Sequence, residues 1–175
     1  MATKTNWKAL DILGSAHIGG LSKLAEMEAA IKQLRSGDTL TAASRLRGLL
    51  TFFDGDLKTH FDHEEKALFP VLSRIIGPMG PVQVMLDEHK VLWQAIEELK
   101  LALPDCERGE ANAAEKVDRI ASHILWTLRS HIQKEDEMLF PMADTQLNTA
   151  DKEIVTLAIE AGCSAKERTP LIPTV

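Results

Sequence analysis

Two stretches of the chain place an imidazole and a carboxylate four residues apart. One runs His60-Phe61-Asp62-His63-Glu64-Glu65 and continues to Leu68-Phe69-Pro70. The other runs His131-Ile132-Gln133-Lys134-Glu135-Asp136 and continues to Leu139-Phe140-Pro141. On a helix, residues four apart lie about 40° apart on one face, so each pair points the same way. Two further histidines, His17 and His89, stand alone in apolar surroundings. Burying two carboxylates without compensation is prohibitive, and a metal is the simplest partner for them. Nitrogen and carboxylate ligands without thiolate select iron, manganese or zinc. Six protein ligands are too many for one tetrahedral zinc. Two ions, each with two histidines and sharing Glu64 and Glu135, fit the duplicated pattern.

The elements that must carry these residues read as long amphipathic helices. Leu10, Leu13, His17, Leu21, Leu24, Met27, Ile31 and Leu34 recur at three- and four-residue steps and predict a helix over about 7–35. Leu46, Leu49, Phe53, Leu57, His60, Glu64 and Leu68 predict a second over about 39–76, kinked by Pro70. Gly77-Pro78-Met79-Gly80-Pro81 breaks the chain at its midpoint. Val82, Met85, His89, Trp93, Ile96 and Leu99 predict a third helix from Pro81 to about Leu103, ended by Pro104. Val117, Ile120, Ile124, Leu128, His131, Glu135 and Leu139 predict a fourth over about 112–142, and a short fifth follows over about 150–162. The last residues, with two prolines, read as extended.

The halves repeat. A shift of 72 places His17 on His89, and a shift of 71 places His60 on His131 and Glu64 on Glu135. The unit is a helix with one histidine followed by a helix with H-x-x-x-E, used twice. Short links between such helices predict an all-α, antiparallel up-down four-helix bundle over residues 1–147. A short C-terminal helix and tail follow over 148–175.

Composition excludes several functions. The 175 residues are 45% hydrophobic with a net charge of −6, which points away from nucleic acid and anionic membranes. No apolar run reaches the roughly 18 residues of a membrane span, and residues 1–7 lack the core of a signal peptide. Two cysteines are too few for a disulfide framework, so the expected setting is the cytoplasm. There is no tyrosine to carry a tyrosyl group.

The ligand order His-x-x-x-Glu with a lone histidine on the preceding helix resembles the hemerythrin-like, HHE cation-binding family. The resemblance covers about residues 7–143. It rests on His17, on His60 to Glu65 with Leu-Phe-Pro, on Asp87-Glu88-His89, and on His131 to Asp136. It implies a non-haem di-iron centre with an oxo or hydroxo bridge. By match, His17 and His60 would hold one iron, His89 and His131 the other, and Glu64 and Glu135 would bridge. Oxygen-carrying members have a fifth histidine where this chain has Trp93, which implies an open position and a role other than reversible oxygen carriage. The four-histidine members sense or handle iron, oxygen, nitric oxide or peroxide. Among them, iron–sulfur-cluster repair proteins carry an N-terminal cysteine-bearing segment absent from these 175 residues, which points away from repair.

The leading expectation is a di-iron protein that binds or senses O2, nitric oxide or peroxide. The alternatives are an enzyme acting on peroxide or nitric oxide and an iron-responsive sensing or storage module. No dedicated acid–base residue stands out. The partner is a small diatomic or peroxide ligand, and the chain is expected to be a monomer or homodimer. Around the ligands, Asp56 is the expected acceptor for a histidine N–H. Glu65, Glu88 and Asp136, adjacent to ligands on ideal helices, are expected to face solvent, as is His63. His123 is expected at or near the surface. Trp93 and Leu21 are expected to wall the open positions.

Overall fold

A computed structural model describes residues 7–167 and the side chains of residues 7–162. Every regular element among the described residues is helical. Helix α1 spans Lys8–Arg35, as its periodicity predicts. The second predicted helix is one continuous rod built from α2 (Thr39–Phe52), α3 (Lys58–His63) and α4 (Phe69–Ile76). Wider π-helical turns at Phe53–Leu57 and Glu64–Leu68 join these pieces. Helix α5 spans Pro81–Glu107. Helix α6 (Ala113–Lys134) passes through a third π turn, Glu135–Leu139, into α7 (Phe140–Gln146).

Two of the π turns have a local cause. Pro70 and Pro141 have no N–H to donate one turn back, and their rings crowd the carbonyl there. Widening the preceding turn relieves that crowding without ending the helix. The predicted kink at Pro70 is therefore a local widening, and the rod continues to Ile76. Pro104 likewise does not end α5. It sits inside the last turn, and the helix runs on to Glu107 at the cost of one backbone bond. The midpoint break is sharp because Gly77 and Gly80 adopt φ of +91° and +119°, backbone that residues with a Cβ avoid.

Helix α1 packs against α2 and α6, and α5 packs against the same two. Two apolar clusters fill the interior. One includes Leu24, Met27, Leu46, Phe53, Phe61, Ile96, Leu99, Ile124 and Leu128. The other includes Trp7, Leu13, Leu68, Phe69, Leu72, Met85, Leu139 and Phe140. The fifth helix, α8 (Thr149–Glu167), is longer than predicted. Asn148 caps it, its side-chain oxygen accepting from the Asp151 N–H at 3.0 Å. Val155 and Ile159 are fully buried in the second cluster. The Trp7 indole N–H donates to Thr156 Oγ1 at 3.0 Å and to the Lys152 carbonyl at 3.1 Å. Gly162 permits a close approach, since a Cβ there would stand 3.2 Å from His63 Nε2. The predicted extended tail lies outside the described residues.

Candidate metal centre

Between the two apolar clusters lie six buried polar residues: His17, His60, Glu64, His89, His131 and Glu135. They are the six that the sequence singles out. Their ring nitrogens pair at two poles. His17 Nε2 stands 3.1 Å from His60 Nε2, and His89 Nε2 stands 3.1 Å from His131 Nε2. The carboxylates span the poles. Glu64 puts Oε1 3.4 Å from His60 Nε2 and Oε2 3.5 Å from His89 Nε2. Glu135 puts Oε2 3.1 Å from His17 Nε2 and Oε1 3.3 Å from His131 Nε2. Two four-residue groups result, His17·His60·Glu64·Glu135 and His89·His131·Glu64·Glu135, each with ligand atoms within 4.8 Å of one another.

The outer ring nitrogens explain why this cluster calls for a cation. His17 Nδ1 donates to Asp136 Oδ1 at 2.8 Å, His89 Nδ1 to Glu65 Oε1 at 2.7 Å, and His131 Nδ1 to Glu88 Oε2 at 3.0 Å. A neutral ring with its proton on Nδ1 presents a bare lone pair at Nε2. At the second pole both Nδ1 protons are so engaged, and the two Nε2 atoms face each other next to carboxylate oxygens. All four oxygens of Glu64 and Glu135 are buried without a hydrogen-bond partner. So many buried acceptors stay unpaired only where something positive sits among them. The donor set, four imidazoles and two carboxylates, fits a transition metal.

Without a metal the cluster is electrostatically divided. Burial, with Glu135 close by, pushes the Glu64 carboxyl well above its usual range. Burial also acts to raise Glu135, but His131, with His17 and His60, outweighs it and holds Glu135 well below that range. Burial, reinforced by His131, pulls His89 down to about 3. Burial opposes charge on His131 too, yet Glu135 and Glu88 push it up to about 9.

The acids beside the ligands correct the sequence reading. Glu65, Glu88 and Asp136 do not simply face solvent; each holds a histidine of the cluster. Glu65 and Asp136 lie in the π turns, where the ideal rotation per residue no longer applies. Both reach across the repeat, from the second rod to α5 and from the fourth to α1. The Phe of each Leu-Phe-Pro makes the same crossing. Phe140 stacks on His17 at 5.2 Å and Phe69 on His89 at 5.7 Å between ring centres. Asp56 does not serve His60, whose Nδ1 is buried without a hydrogen-bond partner. Trp93 packs edge-on against Phe61, which itself stacks on His89 at 3.5 Å. Leu21 is exposed. His123 is exposed as expected, whereas His63 is half-buried.

The family model of the hemerythrin HHE cation-binding domain matches residues 9–143. The chain belongs to that family. Among curated proteins it is similar to the iron-sulfur cluster repair protein YtfE of Yersinia pseudotuberculosis, 28% identical over 131 residues. That match covers 73% of this chain and 59% of the relative, so the chain spans about three fifths of the length of such relatives. It is also similar to the iron-sulfur cluster repair protein DnrN of Neisseria gonorrhoeae, 26% identical over 130 residues, 72% of this chain and 81% of the relative. No solved structure matches the chain significantly. Among the described residues no helix is long and apolar enough to cross a membrane.

Proposed function

We propose that the chain is a non-haem di-iron protein whose centre binds nitric oxide, peroxide or O2 and that it serves iron–sulfur cluster repair. The observation that carries this reading is the pair of overlapping four-residue groups that share Glu64 and Glu135. In this reading His17 and His60 hold one iron, His89 and His131 the other, and the two glutamates bridge. The irons supply redox chemistry and open positions for a small ligand. Asp136, Glu65 and Glu88 keep the proton of each ring on Nδ1 and so present Nε2 as a ligand. Phe61, Phe69 and Phe140 fix ring planes and exclude water. The names of the curated relatives support the repair setting.

The supporting architecture is an antiparallel up-down bundle over residues 1–147. Its rods are joined by short links at 36–38, 77–80 and 108–112, and α8 follows the bundle and packs against it. The reading is tested by metal analysis of protein purified without chelators. Two irons per chain are expected, with near-ultraviolet absorption from the oxidised pair that changes on adding nitric oxide or peroxide. A single zinc, or a folded chain with no metal after iron reconstitution, would sink it.

A further inference from the structure

The two poles of the cluster differ in what surrounds them, and the repeat shows how. His131 donates its Nδ1–H to Glu88, which is also paired with Lys134. The shift of 72 that places His17 on His89 places Ala16 on Glu88 and Gly20 on Leu92. The shift of 71 that places His60 on His131 places His63 on Lys134. At the first pole the counterpart of Glu88 is therefore missing and the neighbouring side chains have shrunk, Lys23 and Asp56 being the oppositely charged residues that line the space. A cavity of about 320 Å³ stands there, and Ala16, Gly19, Gly20, His60 and His63 are among its lining residues. Ile12, Phe52, Leu128 and Ile132 make its apolar wall. His60 is only 6% exposed, and its Nδ1 has no hydrogen-bond partner. At the second pole the same region is filled by Glu88 and by Leu92, which is fully buried.

We propose that this cavity binds a small organic monocarboxylate, whose headgroup accepts the His60 Nδ1 proton as Glu88 accepts that of His131. The space exceeds what a diatomic or peroxide needs by several-fold, taking about 30 Å³ as the share of one water in the liquid. Its apolar wall suits an alkyl or aromatic tail, and His63 stands where Lys134 flanks Glu88. The proposal rests on the metal reading in one respect: with Nε2 on a metal, Nδ1 must carry the proton and must donate. Bound carboxylate then makes the His60 ring a stronger ligand, as carboxylate partners of metal-bound histidines do.

Calorimetry of the metal-loaded protein with butyrate, hexanoate and hexanol tests it. Hexanoate should bind saturably, more tightly than butyrate, and at least tenfold more tightly than hexanol. It should also shift the absorption of the metal centre. Ala16→Glu supplies the missing carboxylate from the chain and should abolish binding. Gly20→Leu fills the space without charge and should do the same. Absence of hexanoate binding to metal-loaded wild type, equal binding of hexanol, or undiminished binding by both variants would overturn the proposal. Metal content measured on the same samples separates this failure from failure of the di-iron reading.

Discussion

At the scale of single residues, the acids beside the ligands carry a prediction that the ligands themselves do not. Asp136 and Glu65 each accept a hydrogen bond from one ring N–H, at 2.8 and 2.7 Å, and neither belongs to the six-residue cluster. Outer carboxylates of this kind are worth roughly 10- to 100-fold in metal affinity. Asp136→Asn and Glu65→Gln should each weaken metal binding by about that factor in a chelator competition. Asp62→Asn, which loses only surface pairs to Lys58 and Lys66, should leave it unchanged. Equal affinity in all three variants would remove these acids from the site. Removing a residue shared by both groups should be more severe. Glu135→Ala takes oxygens from both poles at once, and its metal content should fall to less than half that of wild type. The six cluster residues are legible in the sequence because each interrupts an apolar stripe at a level matched in the other half. Burying such groups is costly unless they converge on a shared partner. Asp136, Glu65 and Glu88 are not legible, because an ideal helix turns each neighbour of a ligand about 100° away from it.

At the scale of elements, two of the π turns explain that illegibility for Glu65 and Asp136. Each begins at one of the two shared glutamates, Glu64 or Glu135, and ends at the Leu of Leu-Phe-Pro. The proline is visible in the sequence, but its effect reads as a kink rather than as a wider turn, since both relieve the same lost bond. The wider turn carries an acid and a phenylalanine of one rod onto a histidine of another helix. Phe140→Ala removes the ring stacked on His17 and buried in the second apolar cluster. It should cost about 3–5 kcal/mol of stability in denaturant titration. Helix α8 makes a contrasting case. Ile159 is fully buried, yet α8 carries none of the six cluster residues. Ile159→Ala should cost about 2–5 kcal/mol while the metal content per folded chain stays at the wild-type value. Metal loss in that variant would assign α8 a part in holding the centre. The start of α8 is legible from its Asn148-Thr149 cap, but its length is not, because Val155 and Ile159 meet partners far away in the chain.

At the scale of the whole molecule, the metal-free chain keeps two carboxylates and four rings packed in its interior, and their charges disagree. A ligand that binds only the folded state stabilises it in proportion to the logarithm of its concentration over Kd. At one hundred times Kd this is about 2.7 kcal/mol for each site. Thermal unfolding of apoprotein should therefore begin several degrees lower than that of the iron-loaded form, and added iron should restore it. Identical transitions with and without metal would mean the interior tolerates the cluster unaided. The duplication itself is plain in the sequence, whereas its asymmetry at Ala16 and Glu88 becomes visible only when the cavity does. The crossing contacts have one more consequence, for synthesis. His17 is bonded to a residue 119 positions later, and Glu135 is shared by both four-residue groups. A ribosome that has delivered only the first half of the chain has delivered at most three of the six cluster residues and neither crossing from the fourth rod. In the di-iron reading, iron held at this centre would require a chain translated through at least Glu135.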